Sequence, residues 1–273
     1  MSLSAGTAGT DFPVESFLLR SGRLELERIA WHEVADFPVS PDAVRTLRYM
    51  LDIESHTLVY MRNMLASRAI DDPAIGPFLA CWLYEETFHS IAFERFLRAA
   101  GHPVARRQHG REKLSQRLEG ALATMISKSW PDFLAVQMLW GAINELTTML
   151  AYQRLAVLAD HPVLGELLGQ IAHQEARHFS FYFQQARRRL SSERKSRRVR
   201  AFIRRFWAPV GSGVQPSTET RFVTAFLFSD PGGHAARTRI DQTIGRLPGF
   251  EDARFFGKWF EQHVMPAPVP VVT

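Results

Sequence analysis

Two short patterns in the chain pair a carboxylate with an imidazole three residues later: Glu86-Thr87-Phe88-His89 and Glu175-Ala176-Arg177-His178. On a helix, residues three apart point the same way about one turn along, so each pair can offer an oxygen and a nitrogen to one metal ion. Two further glutamates stand inside apolar stretches, Glu54 within Leu51–Leu58 and Glu145 within Leu139–Leu146. One Glu from each of two helices, with Glu-x-x-His from the other two, is the ligand arrangement of di-iron and di-manganese carboxylate bundles. The order repeats: Glu54 precedes Glu86 by 32 residues and Glu145 precedes Glu175 by 30, and Thr57 and Thr148 each follow their glutamate by three. Such a repeat fits two helix pairs about a pseudo-twofold axis, with the metals between them.

The charges agree with this assignment. Four carboxylates balance two divalent cations, whereas four buried carboxylates alone would be costly. Mixed oxygen and nitrogen ligands suit iron or manganese, and no thiolate stands among them. Glu85 lies four residues before His89 and competes with Glu86. Aligning the two halves pairs Glu86 with Glu175 and Glu85 with Gln174, which favours Glu86 as ligand and leaves Glu85 a supporting or surface group. His56, His173 and Asp52 have spacings that suit ligation less well, and supporting or solvent-facing roles are expected for them.

Helical periodicity dominates, and Pro and Gly fall between periodic segments. Ser40-Pro41-Asp42 opens a helix to about Ser67, with Ser40 as cap. Asp71-Asp72-Pro73 starts the next, ending near Gly101. A shorter segment covers about Glu112 to Ser129. Trp130-Pro131-Asp132 leads into a long helix to about Asp160, and His161-Pro162 begins another that reaches the basic run described below. Shorter helices are expected at 217–229, 235–246 and 250–263. Two long helices before Gly101 and two after Pro131, joined by one crossover, predict an all-α, ferritin-like four-helix bundle. A helical repeat array would need an internal period, and none is found. The expected organisation is one domain over 1–273, with the bundle at about 40–190, additional helices at 191–263 and an extended tail at 264–273.

Over 273 residues the chain has 46% hydrophobic and 22% charged residues, which excludes a disordered protein. Its one cysteine, Cys81, excludes an internal disulfide framework and points to a reducing compartment. No stretch reads as a membrane span or a signal peptide, so a cytoplasmic location is expected. The net charge of +5 is concentrated: Arg187, Arg188, Arg189, Arg194, Lys195, Arg197, Arg198, Arg200, Arg204 and Arg205 lie close together, with Glu193 the one acid among them. Such a run can bind nucleic acid, anionic lipid or an acidic protein, or is simply a solvated helix surface. Nucleic acid is disfavoured, because no zinc-finger spacing, aromatic RNP pattern or basic zipper accompanies it.

The segments Trp82–His89, Asn144–Thr148 and Ile171–His178 resemble the strongest motifs of the soluble acyl-acyl-carrier-protein desaturases, most of all the shorter mycobacterial-type members. The resemblance covers roughly residues 25–190, with a weaker echo at Phe256-Gly257-Lys258. It implies a ferritin-like bundle whose di-iron centre uses dioxygen to remove two hydrogens from an acyl chain. Glu54, Glu86, His89, Glu145, Glu175 and His178 would hold two iron ions, with a manganese–iron pair as the variant. The partners implied are an acidic acyl-carrier protein and a ferredoxin, for which Arg187–Arg205 is the expected docking face, and a homodimer is the expected assembly. Thr148 matches a threonine on the oxygen-binding face. It is either a proton-delivering catalytic residue or a helix threonine bonded one turn back. Gln174 departs from the pattern, since the plant enzymes often carry aspartate there to orient a ligand histidine. The extra fourth-helix histidine of the N-oxygenases would fall at Ile171, which disfavours that subclass. Phe88, Phe93, Met138, Leu139 and Phe179 are either a substrate channel or plain core. The competing functions are a di-iron monooxygenase that hydroxylates or cleaves another small molecule, iron or peroxide handling, and a helical interaction protein built on the basic run.

Overall fold

The computed structural model describes residues 14–104 and 114–265. Among them all regular structure is helical: α1 (Val14–Arg20), α2 (Pro41–Glu54), α3 (Thr57–Leu65), α4 (Ile75–Ala99), α5 (Leu114–Ser129), α6 (Phe133–Ala159), α7 (Pro162–Arg189), α8 (Glu193–Phe206), α9 (Ser217–Phe228), α10 (Pro231–Ile244) and α11 (Phe255–His263), with short 3₁₀ turns at Trp31–Asp36 and Arg68–Asp71. Four helices close a ring: α2 packs on α4, α4 on α7, α7 along α6, and α6 on α2. The expected all-α bundle is present, and α5 forms the crossover between its halves, against α3 and α6.

Local chemistry sets the helix starts. The Ser40 hydroxyl accepts from the Ala43 N–H at 3.2 Å and Pro41 occupies the first turn of α2. At α7 the His161 ring plays the same part, accepting from the Leu164 N–H at 3.2 Å ahead of Pro162. Helix α6 is apolar nearly all round and is correspondingly enclosed by α2, α5, α7, α8, α9 and α10. Its close approach to α7 depends on Gly141, where a Cβ would stand 2.4 Å from the Tyr182 ring.

Several boundaries differ from the sequence reading. The helix expected from Ser40 to Ser67 is broken at Ser55-His56, so Glu54 is the last residue of α2. No proline causes the break. The Ser55 hydroxyl bonds back to the Leu51 carbonyl at 2.7 Å and the His56 N–H closes a tighter turn on the Ile53 carbonyl at 2.8 Å. The basic run spans two helices, divided at buried Leu190, with the Ser192 hydroxyl capping α8. The segment before Ser40, where no helix is expected, carries α1 and a 3₁₀ turn that pack on α4. The expected tail lies outside the described residues from 266 onward.

The additional C-terminal helices lean on the bundle: α8 and α10 on α6, and α9 on both α2 and α6. Helix α11 begins on an external cap, because the Asp241 carboxylate of α10 accepts from the Phe256 and Gly257 N–H groups at 3.0 and 2.9 Å. Among the described residues no helix is long and apolar enough to cross a membrane.

Candidate metal centre

All six glutamate and histidine side chains singled out by spacing meet inside the ring, and all six are buried. They form two overlapping sets, Glu54, Glu86, His89 and Glu175, and Glu86, Glu145, Glu175 and His178. Within each set one ligand atom per residue lies within 4.8 Å of the others. The oxygens of the shared glutamates divide between the sets. Glu86 places Oε2 at 3.6 Å from His89 Nδ1 and Oε1 at 3.2 Å from His178 Nδ1. Glu175 places Oε1 at 3.3 Å from His89 Nδ1 and Oε2 at 3.5 Å from His178 Nδ1. Glu54 stands by His89 alone, with Oε2 at 3.7 Å, and Glu145 by His178 alone, with Oε2 at 3.6 Å. Glu86 and Glu175 are therefore central, while Glu54 and Glu145 are terminal.

The far nitrogen of each imidazole is held from outside the cluster. His89 Nε2 bonds to the Gln174 side-chain oxygen at 2.8 Å, and His178 Nε2 to Glu85 Oε2 at 2.7 Å. Each support is the residue immediately before a central glutamate, and each crosses to the histidine of the other helix. Glu85 is thus a buried supporting group and not a surface one. His173 is exposed, and Asp52 receives a hydrogen bond from Gln215.

The cluster shows what it lacks. His89 Nδ1, His178 Nδ1 and both Glu175 oxygens are buried without a hydrogen-bond partner among the described residues. Buried polar atoms are ordinarily paired, so four orphans converging on one point fit metal coordination. The carboxylates also respond to one another. Burial, reinforced by neighbouring carboxylates, pushes the Glu54 and Glu145 carboxyls well above their usual range. Burial opposes ionisation of Glu86 and the two imidazoles, but the close approach of carboxylates and imidazoles to one another prevails: Glu86 is held well below its usual range and His89 and His178 well above theirs.

Tyr152 escapes the sequence reading. Its buried hydroxyl donates to Glu54 Oε1, and burial next to that carboxylate raises its pKa far above normal. The available signal is its place seven residues after Glu145, two turns along the same face of α6. Tyr182 follows Glu175 by the same interval.

Next to Tyr152, the partner of Glu54, lies a small slot with a cavity volume of about 50 Å³, lined mostly by apolar side chains of α2, α6, α9 and α11 together with Pro209 and Val210. Tyr152 and Thr148 both face it. Thr147, not Thr148, makes the back-bond, to the Ile143 carbonyl at 2.7 Å. The five channel candidates do not line the slot: Phe93, Met138 and Leu139 are buried core, and Phe88 and Phe179 are half-buried against it.

The sequence model of the family described as fatty acid desaturase matches residues 56–204. The chain belongs to that family. No curated protein and no solved structure matches it. Membership carries a desaturase-like oxidoreductase function in general, and the match spans both Glu-x-x-His pairs and Glu145.

Proposed function

We propose that this member of the fatty acid desaturase family is a di-iron oxidase that introduces a double bond into a long acyl chain, carried by an acyl-carrier protein. The observation that carries the reading is the pair of four-residue sets sharing Glu86 and Glu175, with both Nδ1 atoms unpartnered and an apolar slot alongside. Glu54, Glu86, His89 and Glu175 would hold one iron, and Glu86, Glu145, Glu175 and His178 the other. Bound iron supplies dioxygen reduction coupled to withdrawal of hydrogen from carbon, with overall balance: the acyl CH₂–CH₂, O₂, two electrons and two protons give CH=CH and two waters.

The chain's own residues contribute position, dryness and protons. The slot holds an aliphatic segment beside Tyr152 and excludes water from the reacting carbons. Tyr152 holds a proton against Glu54 at the boundary between slot and cluster. The Thr148 hydroxyl, facing the slot, is the second proton source. Helix α8 leads directly into Pro209 and Val210 of the slot wall, so its exposed arginines stand next in sequence to the slot and suit an acidic carrier or ferredoxin.

The test is reconstitution with ferrous iron under anaerobic conditions, followed by oxygen, a ferredoxin-type reductant and either acyl-carrier or free fatty acid substrate. The expected outcome is two irons per chain and a product two hydrogens lighter. Uptake of no more than one iron rejects the reading, and a product heavier by one oxygen assigns hydroxylation instead.

A further inference from the structure

The outer supports of the two histidines converge on the backbone of a single residue that lies before the bundle begins. The Gly22 N–H donates to Glu85 Oε1 at 3.1 Å, and the Gly22 carbonyl accepts from the Gln174 side-chain nitrogen at 2.8 Å. Glu85 in turn holds His178 Nε2, and Gln174 holds His89 Nε2. An unbroken path therefore runs His178–Glu85–Gly22–Gln174–His89. The two halves of the cluster, related by the sequence repeat, meet again on the outside through one residue that has no counterpart in the repeat.

The segment carrying Gly22 is fixed from several sides. Arg177 donates to the Arg20 carbonyl at 2.8 Å and also to Glu85. Phe17 is buried, 5.1 Å from the Phe78 ring and 6.4 Å from the His178 ring between centroids. The segment is thus held in place rather than loosely apposed. A Cβ at Gly22 would meet nothing within 4 Å, so the position does not require glycine for space. What the site uses is the backbone N–H and C=O.

We propose that the Gly22 backbone, through its N–H on one side and its C=O on the other, is a positioning group that couples the orientations of His89 and His178, making the segment before the bundle part of the site. Partners at the far nitrogen of a ligating histidine fix its ring and tautomer, and their loss commonly weakens metal binding about 10–100-fold. Here one support is a carboxylate and the other an amide. The shared residue lets a displacement on one side reach the other. Metal binding enters as a consequence that rests on the di-metal reading, whereas the coupling itself is a property of the folded chain.

The test uses the full-length protein labelled with ¹⁵N-histidine. Gly22→Pro removes the N–H to Glu85 and keeps the carbonyl, so its direct effect falls on His178. Coupling predicts that the ring signals of both His178 and His89 shift, while Gly22→Ala leaves both in place. A shift at His178 alone, at neither ring, or equally in Gly22→Ala overturns the proposal. If Gly22→Pro does not fold, Gln174→Leu supplies the reverse measurement. Detaching the Gly22 carbonyl is expected to speed hydrogen exchange of the Gly22 amide about tenfold, and unchanged exchange overturns the proposal. Cobalt titration separates the two readings. If the unaltered protein takes up no cobalt, the di-metal reading fails and the NMR result still decides the coupling. If it takes up two, Gly22→Pro is expected to weaken both sites about tenfold or more.

Discussion

The division of labour among the glutamates gives each its own mutational signature. Glu86 and Glu175 each present one oxygen to either histidine, whereas Glu54 and Glu145 serve one side only. Glu175→Ala is therefore expected to abolish uptake of both ions, and Glu145→Ala to leave one, as metal per chain counted by elemental analysis. Proton competition follows from the same geometry. With His89, His178, Glu54 and Glu145 all raised, the cluster retains protons that divalent ions must displace. Affinity is expected to rise with pH and fall as the solution is acidified, because a raised pKa means the proton is retained to higher pH. Calorimetry in buffers of different ionisation enthalpy reads the number released. The two Glu-x-x-His pairs were legible in the sequence because a helix converts a spacing of three into a shared face, and Glu54 and Glu145 because each is a carboxylate inside an apolar stretch, repeated in order between the two halves. Tyr152 was not, because a tyrosine in an apolar helix looks like any core aromatic until its hydroxyl is seen against Glu54.

Helices that are mostly apolar can approach closely only where one of them yields, and α6 yields at Gly141. A methyl group there would enter the Tyr182 ring, whose position on α7 lies two turns beyond Glu175. Gly141→Ala is expected to lower stability by about 1–3 kcal/mol, read by urea unfolding, and to weaken metal uptake by parting Glu145 from Glu175. Long helices bounded by Ser40-Pro41, Trp130-Pro131 and His161-Pro162 were readable because prolines and caps act locally. The interruption after Glu54 was not, since nothing at Ser55-His56 forbids a helix and the break rests on hydrogen bonds to Leu51 and Ile53. Nor was the role of α1, whose seven residues carry little periodicity and take their place from packing on α4. Local signals set where helices start, while the manner in which they end and what they cover is decided by contacts distant in sequence.

At the scale of the whole molecule, the bundle supplies the buried glutamates and histidines, but the C-terminal helices complete the slot, since Val223, Leu227, Phe228 and Phe256 form one wall. The basic run leads into that wall and is functionally divided. Arg189, Lys195 and Arg200 are half-buried and bound to Asp72, Asp132 and Asp252, so they join elements of the fold. The other seven are exposed, and Arg204 and Arg205 stand at the end of α8 just before the slot residues Pro209 and Val210. A carrier docked on α8 and an acyl chain in the slot would then be recognised by different parts of the chain, charge for one and apolar surface for the other. Joint reversal by Arg198→Glu, Arg204→Glu and Arg205→Glu is expected to raise KM for the acyl-carrier substrate roughly tenfold. The same variant should flatten the salt dependence of KM and leave turnover of free fatty acid unchanged. Ala151→Phe, which fills the slot, is expected to reduce turnover of both substrates. Equal losses on both substrates from the charge reversal would place the arginines in the architecture of the slot instead of in docking. An unaltered KM for the carrier would move the docking face away from α8 altogether.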